Sequence, residues 1–402
     1  MSNSTKLLWL LSFAQFLAMQ VWFNFSSVLP VLQEEWGLNS TESGWIMALF
    51  HAGYVMAIFF YSFFISNYHP KHFFVYGALL AAISGVLFSF YADGFWSAMI
   101  LRTLSGIGVA GIYVPGMRIV AELFPPNKRG KAMGIYVGSL VVGSGSSLLV
   151  SAMLINWIGW NGVILTTSLL SFIAALLVFF ANIPDNISHR PLKLTTSKLK
   201  LVFQKKNLLI NAGYTGHCWE LYAMWSWIGP FLVFYFNLNG FDEAQALQFG
   251  NITGALIIMI GGFATYIGGT LSDQYGRGRT TTLFLLVSIA CSFTIGWLTT
   301  IPFIIMIALT VIYGFTIVAD SPIYNTAISE VTDPELLGLA LGIQSILGFS
   351  ATIFAPLFFG FLLDNFSWGV AFSTVGLLTL IAPICMYLFS RLEKSKRELN
   401  QI

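Results

Sequence analysis

Tyr214, His217, Glu220 and Met224 follow one another at three- and four-residue spacings. On a helix of 3.6 residues per turn they share one face. Glu220 lies 14 residues beyond Lys206 inside an apolar run, which puts its carboxyl group near the centre of a bilayer. A carboxyl group there can hold and release a proton, and a His three residues away can hold or exchange it. The spacing predicts Glu220 as a proton-coupling group assisted by His217. A protonated Glu that only hydrogen-bonds a neighbouring helix is the alternative. Trp219, Tyr222, Trp225 and Trp227 surround the site, some walling a cavity and others facing lipid or other helices.

Other polar residues interrupt apolar runs, and a charge at mid-bilayer costs on the order of 3 kcal/mol on insertion scales. Arg102 reads as an anion-binding or proton-relay group facing a central cavity, or as a structural tie between helix ends. Arg118 is 16 residues further on, about 160° around the helix, so it does not share that face. It precedes Glu122 by four residues, the spacing of a same-helix ion pair. Asp320 is followed by Ser321 and Pro322. The proline frees a backbone carbonyl, so the segment can bend and gate, and Asp320 either pairs with a base or carries a proton. His51 is a ligand or an interhelical donor. Gln15 is a weaker candidate. Gln20 and Asn24 stand one turn apart near the midplane, where a small polar substrate would bind.

No His-x-x-x-His pair or paired acids of an enzyme site appear. Cys218, Cys291 and Cys385 have no metal or disulfide spacing and read as small buried hydrophobes. No G-x-x-x-x-G-K-[ST] loop is present, so ATP is not the expected energy source. No cofactor, metal or nucleic-acid partner is expected. A small molecule, protons and the lipid bilayer are the expected partners.

The elements that must carry these residues are membrane helices. The chain has 402 residues, 56% hydrophobic and 9% charged, with a mean hydropathy of +0.78; soluble domains carry about 25% charged residues. Long stretches free of charge predict an all-α membrane protein of about twelve transmembrane helices. The expected spans are 7–32, 43–65, 73–92, 95–121, 131–156, 161–182, 207–237, 245–271, 280–299, 302–328, 336–363 and 367–390. The first is too long for a signal peptide's apolar region. With the N-terminus inside, 17 of the 19 Lys and Arg residues fall on inner segments and the other two are Arg102 and Arg118. That sorting predicts a multi-pass protein of the inner (plasma) membrane with both termini cytoplasmic. The inner loop with Glu330, Asp333 and Glu335 goes against the trend. The expected organisation is a six-helix bundle at 1–182, a cytoplasmic linker at 183–206, a second bundle at 207–390 and a cytoplasmic tail at 391–402.

The halves repeat at an offset of 208 residues, which pairs Glu122 with Glu330, Gly130 with Gly338, Gly134 with Gly342 and Trp160 with Trp368. Gly269, Asp273, Gly276, Arg277 and Arg279 stand in a G-x-x-x-D-x-x-G-R-x-R pattern. This resembles a loop motif of the major facilitator superfamily. Arg102, Gly106, Gly108 and Gly111 resemble its Arg-and-glycine motif, and Glu122 to Gly134 its junction between helices 4 and 5. The resemblance covers essentially the whole chain. It implies a secondary active transporter of two six-helix bundles, working as a monomer. It also implies a conformational latch in which Asp273 bonds neighbouring N–H groups and Arg side chains. In the first half Ser66 stands where the Asp would be. Family exporters often carry a Gly-Pro motif in helix 5; here Gly138 to Gly145 is glycine-rich, but no Pro occurs between Pro126 and Pro184. That favours proton-coupled uptake (symport) of a small polar or anionic metabolite over the alternative, a proton-linked drug or metabolite efflux antiporter.

Overall fold

The computed structural model describes residues 3–64, 68–124, 126–184, 202–332 and 336–399. They form α1 (Asn3–Ala18), α2 (Gln20–Trp36), α3 (Ser40–Phe64), α4 (Pro70–Tyr91), α5 (Phe95–Leu123), α6 (Pro126–Phe180) and α7 (Lys205–Leu238). There follow α8 (Glu243–Tyr275), α9 (Arg277–Ile295), α10 (Phe303–Ala319), α11 (Ser321–Val331), α12 (Leu337–Asn365), α13 (Trp368–Thr379) and α14 (Ile381–Leu399). No strand occurs among the described residues.

Counting crossings requires the breaks. α1 and α2 form one 34-residue apolar span interrupted at Met19. α6 has 55 residues, too many for one crossing of about 30 Å at 1.5 Å per residue. It turns at Gly159, whose φ of 64° lies in the left-handed region that glycine enters without a Cβ clash. α10 and α11 share one span broken at Asp320, and α13 and α14 meet at Leu380. Among the described residues, ten stretches are long and apolar enough to cross a membrane, and Gly134–Phe180 among them is long enough to cross twice. α7 is not one of the ten, although its 34 residues suffice in length; Asn207, Asn211, His217 and Glu220 dilute its apolar character. With α7 the total is about twelve transmembrane helices, as expected.

The break at Asp320 falls where the Ser321-Pro322 step predicts a bend, whereas the break at Met19 was not foreseen. The last helix continues to Leu399, beyond the apolar span that ends at Leu392, so most of the expected tail at 391–402 is helical. Within the expected linker, residues 185–201 lie outside the described residues, as do Ser66, Asp333 and Glu335.

The chain divides into two compact units. The first comprises the described residues of Met1–Pro191 and Ser226–Met259, the second those of Leu192–Trp225 and Ile260–Ile402. α7 and α8 therefore contribute to both. Polar bonds tie their stretches into the first unit: Asn251 of α8 donates to the Ser27 carbonyl of α2 at 2.8 Å, and the Ser26 hydroxyl donates to the Ser226 carbonyl of α7. Close packing in the first unit uses the glycines of the Arg102 motif. A Cβ on Gly106 would lie 1.9 Å from the Phe50 carbonyl oxygen, and one on Gly108 2.5 Å from the Ala81 nitrogen. Only glycine lets α5 approach α3 and α4 so closely.

Candidate functional site

In the second unit, α7 buries Glu220 completely. Its two carboxyl oxygens accept from the hydroxyls of Ser288 and Ser292 of α9, each at 2.9 Å. Ser292 is also hydrogen-bonded to the Tyr313 hydroxyl of α10, and Ser288 lies 3.0 Å from the Leu285 carbonyl. No Lys, Arg or His side chain forms an ion pair with Glu220 among the described residues. Sequence reasoning missed Ser288, Ser292 and Tyr313. The available signal was the four-residue spacing of the two serines, which puts both hydroxyls on one face of α9.

His217 was expected to serve Glu220. Instead its Nδ1 lies 2.9 Å from a carboxylate oxygen of Asp320, and its Nε2 is 2.9 Å from the Ser321 hydroxyl. The cause is the break between α10 and α11. Pro322 has no N–H to continue the ladder, and the interruption presents Asp320 and Ser321 to α7. A step of three residues also swings His217 about 60° from Glu220, enough to serve a different helix. Tyr214 stacks on His217 at 6.0 Å between ring centres, and Tyr324 packs against both at 5.5 and 5.4 Å. Met224 is buried. Trp219 packs on Phe358 of α12 at 5.6 Å.

In the first unit the structure brings Arg102, Asn24 and His51 together. Arg102 is 5% exposed. Its Nη1 donates to the Val21 carbonyl at 3.0 Å and to Asn24 Oδ1 at 2.9 Å, and its Nη2 donates to the Trp22 carbonyl at 3.1 Å. The guanidinium lies over the Phe50 ring at 4.2 Å. Asn24 donates in turn to Thr167 at 3.0 Å. His51 meets Trp22 and Phe50 edge-on at 5.8 and 5.4 Å. Arg102, His51, Trp22, Phe50 and Ser26 line a small cavity. Gln20 does not line it. Its amide nitrogen is held by α6, at the Gly143 carbonyl (3.0 Å) and the Ser146 hydroxyl, so it ties α2 to α6. Gln15 does the same for α1, donating to the Tyr136 carbonyl at 2.7 Å and to Ser139 at 3.0 Å.

The loop motif forms a charged cluster. Arg277 bonds Asp273, Ser272 at 2.6 Å and Glu330 of α11 at 2.8 Å. Gly276, with φ of 93°, makes the turn from α8 into α9. Two motif residues fall elsewhere. A Cβ on Gly269 would meet open space, whereas one on Gly268 would lie 1.8 Å from the Ala319 carbonyl oxygen, so the close approach belongs to Gly268. Arg279 is exposed and outside the cluster. In the first half Glu122 accepts from Arg118 at 3.2 Å within one helix, as the spacing predicts.

No group of three or more His, Cys, Asp or Glu able to hold a metal occurs among the described residues. The model of the Major Facilitator Superfamily matches residues 11–353 and 301–401. The "Uncharacterized MFS-type transporter YybF" of Bacillus subtilis (strain 168) is 24% identical over 222 residues, 53% of this chain and 52% of that protein. The chain thus spans about half the length of that relative. The "Putative niacin/nicotinamide transporter NiaP" of the same organism is 24% identical over 399 residues, 93% of this chain and 92% of that protein. The crystal structure of a D-xylose-proton symporter has a TM-score of 0.79 at 16% identity, covering 96% of this chain and 98% of that one, which shows the shared fold. The chain belongs to the Major Facilitator Superfamily, a family of transporters rather than enzymes.

Proposed function

We propose that this protein carries a small polar or anionic metabolite into the cell together with a proton, by alternating access, with Glu220 as the proton site. One observation carries the reading: a carboxyl group buried in a membrane helix, with a serine hydroxyl on each oxygen and no cationic partner among the described residues.

The hydroxyls suit both protonation states. A hydroxyl has one proton to donate, and Ser288 has two acceptors within reach, Glu220 at 2.9 Å and the Leu285 carbonyl at 3.0 Å. With Glu220 ionised, Ser288 donates to the carboxylate. With Glu220 protonated, the acid O–H donates to the Ser288 oxygen and Ser288 turns to Leu285. The proton is therefore taken up without an orphaned buried polar group, which would cost about 1–3 kcal/mol. Asp320 has the His217 ring 2.9 Å away, whereas Glu220 is met by serine hydroxyls, which singles out Glu220 as the proton site. For a neutral substrate the membrane potential adds about 2.3 kcal/mol per charge per 100 mV; with a monovalent anion the step moves no net charge, and the pH gradient alone drives accumulation.

Placement in the inner (plasma) membrane with both termini cytoplasmic is supported by the sorting of Lys and Arg to inner segments. The test is a screen of metabolites in proteoliposomes holding a pH-sensitive dye. Substrate entry accompanied by acidification of the lumen supports symport; entry with no proton movement rules it out.

A further inference from the structure

We infer that the cavity beside Arg102 is a binding site for a planar monovalent oxyanion, the carboxylate of a monocarboxylic acid or nitrate, held by the guanidinium. The inference rests on the transport reading above and narrows its substrate.

A guanidinium carries five N–H donors in a fixed plane. Three bonds are made, two from Nη1 and one from Nη2, all to neutral oxygens. Nε–H has no partner among the described residues, and one Nη2 hydrogen remains. No carboxylate pairs with Arg102 among the described residues. A buried cation with unused donors is costly unless paired. The neutral oxygens and the Phe50 ring face at 4.2 Å offset only part of that cost. The missing pieces are one negative charge and acceptor oxygens, which a carboxylate or nitrate supplies together.

Beside Arg102, the lining includes Phe50, Trp22, Phe25, Met47, Ser26 and His51. Nitrate and a carboxylate present coplanar oxygens to the guanidinium plane and carry one charge to match its one. Phosphate and sulfate bring up to two charges to a single guanidinium. The site thus selects planar monoanions over tetrahedral dianions.

The test uses the purified full-length chain in neutral detergent, in a sodium sulfate background of constant ionic strength. Its unfolding midpoint is followed as acetate, benzoate, nitrate or phosphate is added. Acetate and benzoate, or nitrate, should raise the midpoint saturably, and phosphate should not. A response to the carboxylates assigns an organic acid; a response to nitrate alone assigns an inorganic anion. Arg102→Lys keeps the charge but loses the fork, and should raise the half-saturating concentration about tenfold or more, the effect of one charge-assisted hydrogen bond. Should that variant fail to fold, Asn24→Asp serves. It keeps the acceptor for Nη1, provides a built-in counter-ion, and should abolish the response. Equal responses to all four anions, no response to any, or a response unchanged in these variants overturns the inference. No proton gradient enters this experiment, so its failure leaves the reading of Glu220 to its own test.

Discussion

His217 reaches past Glu220, its neighbour on α7, to Asp320, with Nδ1 2.9 Å from the carboxylate. Among the described residues, this contact leaves one buried carboxyl group of the second unit beside a histidine and the other, Glu220, without an ion-pair partner. Breaking a buried pair by removing one partner strands the other in a low dielectric. We therefore expect His217→Ala and Asp320→Ala each to lower the unfolding midpoint of the purified chain. The double variant should be no less stable than the worse single one, a coupling on the order of 1–3 kcal/mol. Losses that simply add would show that the two side chains do not depend on each other.

How far this arrangement was legible in the sequence depends on what set each contact. Local spacing decided the Arg118–Glu122 pair, and the pair is present. Charge-free stretches decided the crossings, and about twelve exist. The partner of His217 was not legible, because it depends on which helix the bend at Asp320 and Pro322 faces, a tertiary matter. Ser288 and Ser292 were overlooked because serines in membrane helices commonly bond their own preceding turn, and nothing local distinguishes those that also serve another helix. Gln20 looked like a substrate ligand for a related reason: its use on α6 needs the packing of α2 against α6.

The dual role of Ser288 is open to infrared spectroscopy. A pH-difference spectrum should contain a protonated-carboxyl band that is absent from Glu220→Gln. In Ser288→Ala that band should move to higher frequency, as a carboxyl group with one hydrogen-bond partner fewer. A band present in the native chain yet unmoved in Ser288→Ala would show that this hydroxyl does not follow the proton.

Glu122 and Glu330 match across the repeat, yet Glu122 pairs within its helix while Glu330 pairs with Arg277 of another. If the loop cluster is a latch, Glu330→Gln should change the transport rate with little change in apparent substrate affinity. Both pairs are partly exposed, so stability should move by about 1 kcal/mol or less in either variant. Glu122→Gln should leave the rate nearly unchanged. Equal rate effects from the two variants would remove the special role of Arg277.

Gly268 and Gly269 offer a sharp comparison. A Cβ on Gly268 meets the Ala319 carbonyl, and one on Gly269 meets open space. Gly268→Ala should lower the unfolding midpoint and folded yield, by the 1–3 kcal/mol typical of overpacking. Gly269→Ala should be tolerated in stability. Similar losses for both would contradict the packing of α8 against the end of α10.

The central claim is that Glu220 couples transport to protons, and one measurement addresses it most directly. Proteoliposomes holding the native chain or Glu220→Gln are given an inward proton gradient and a transported metabolite, and accumulation is compared with gradient-free exchange. The account predicts that the native chain accumulates substrate only with the gradient, and that Glu220→Gln retains exchange and loses accumulation. Accumulation that survives the substitution intact would contradict it and leave Glu220 a structural acid.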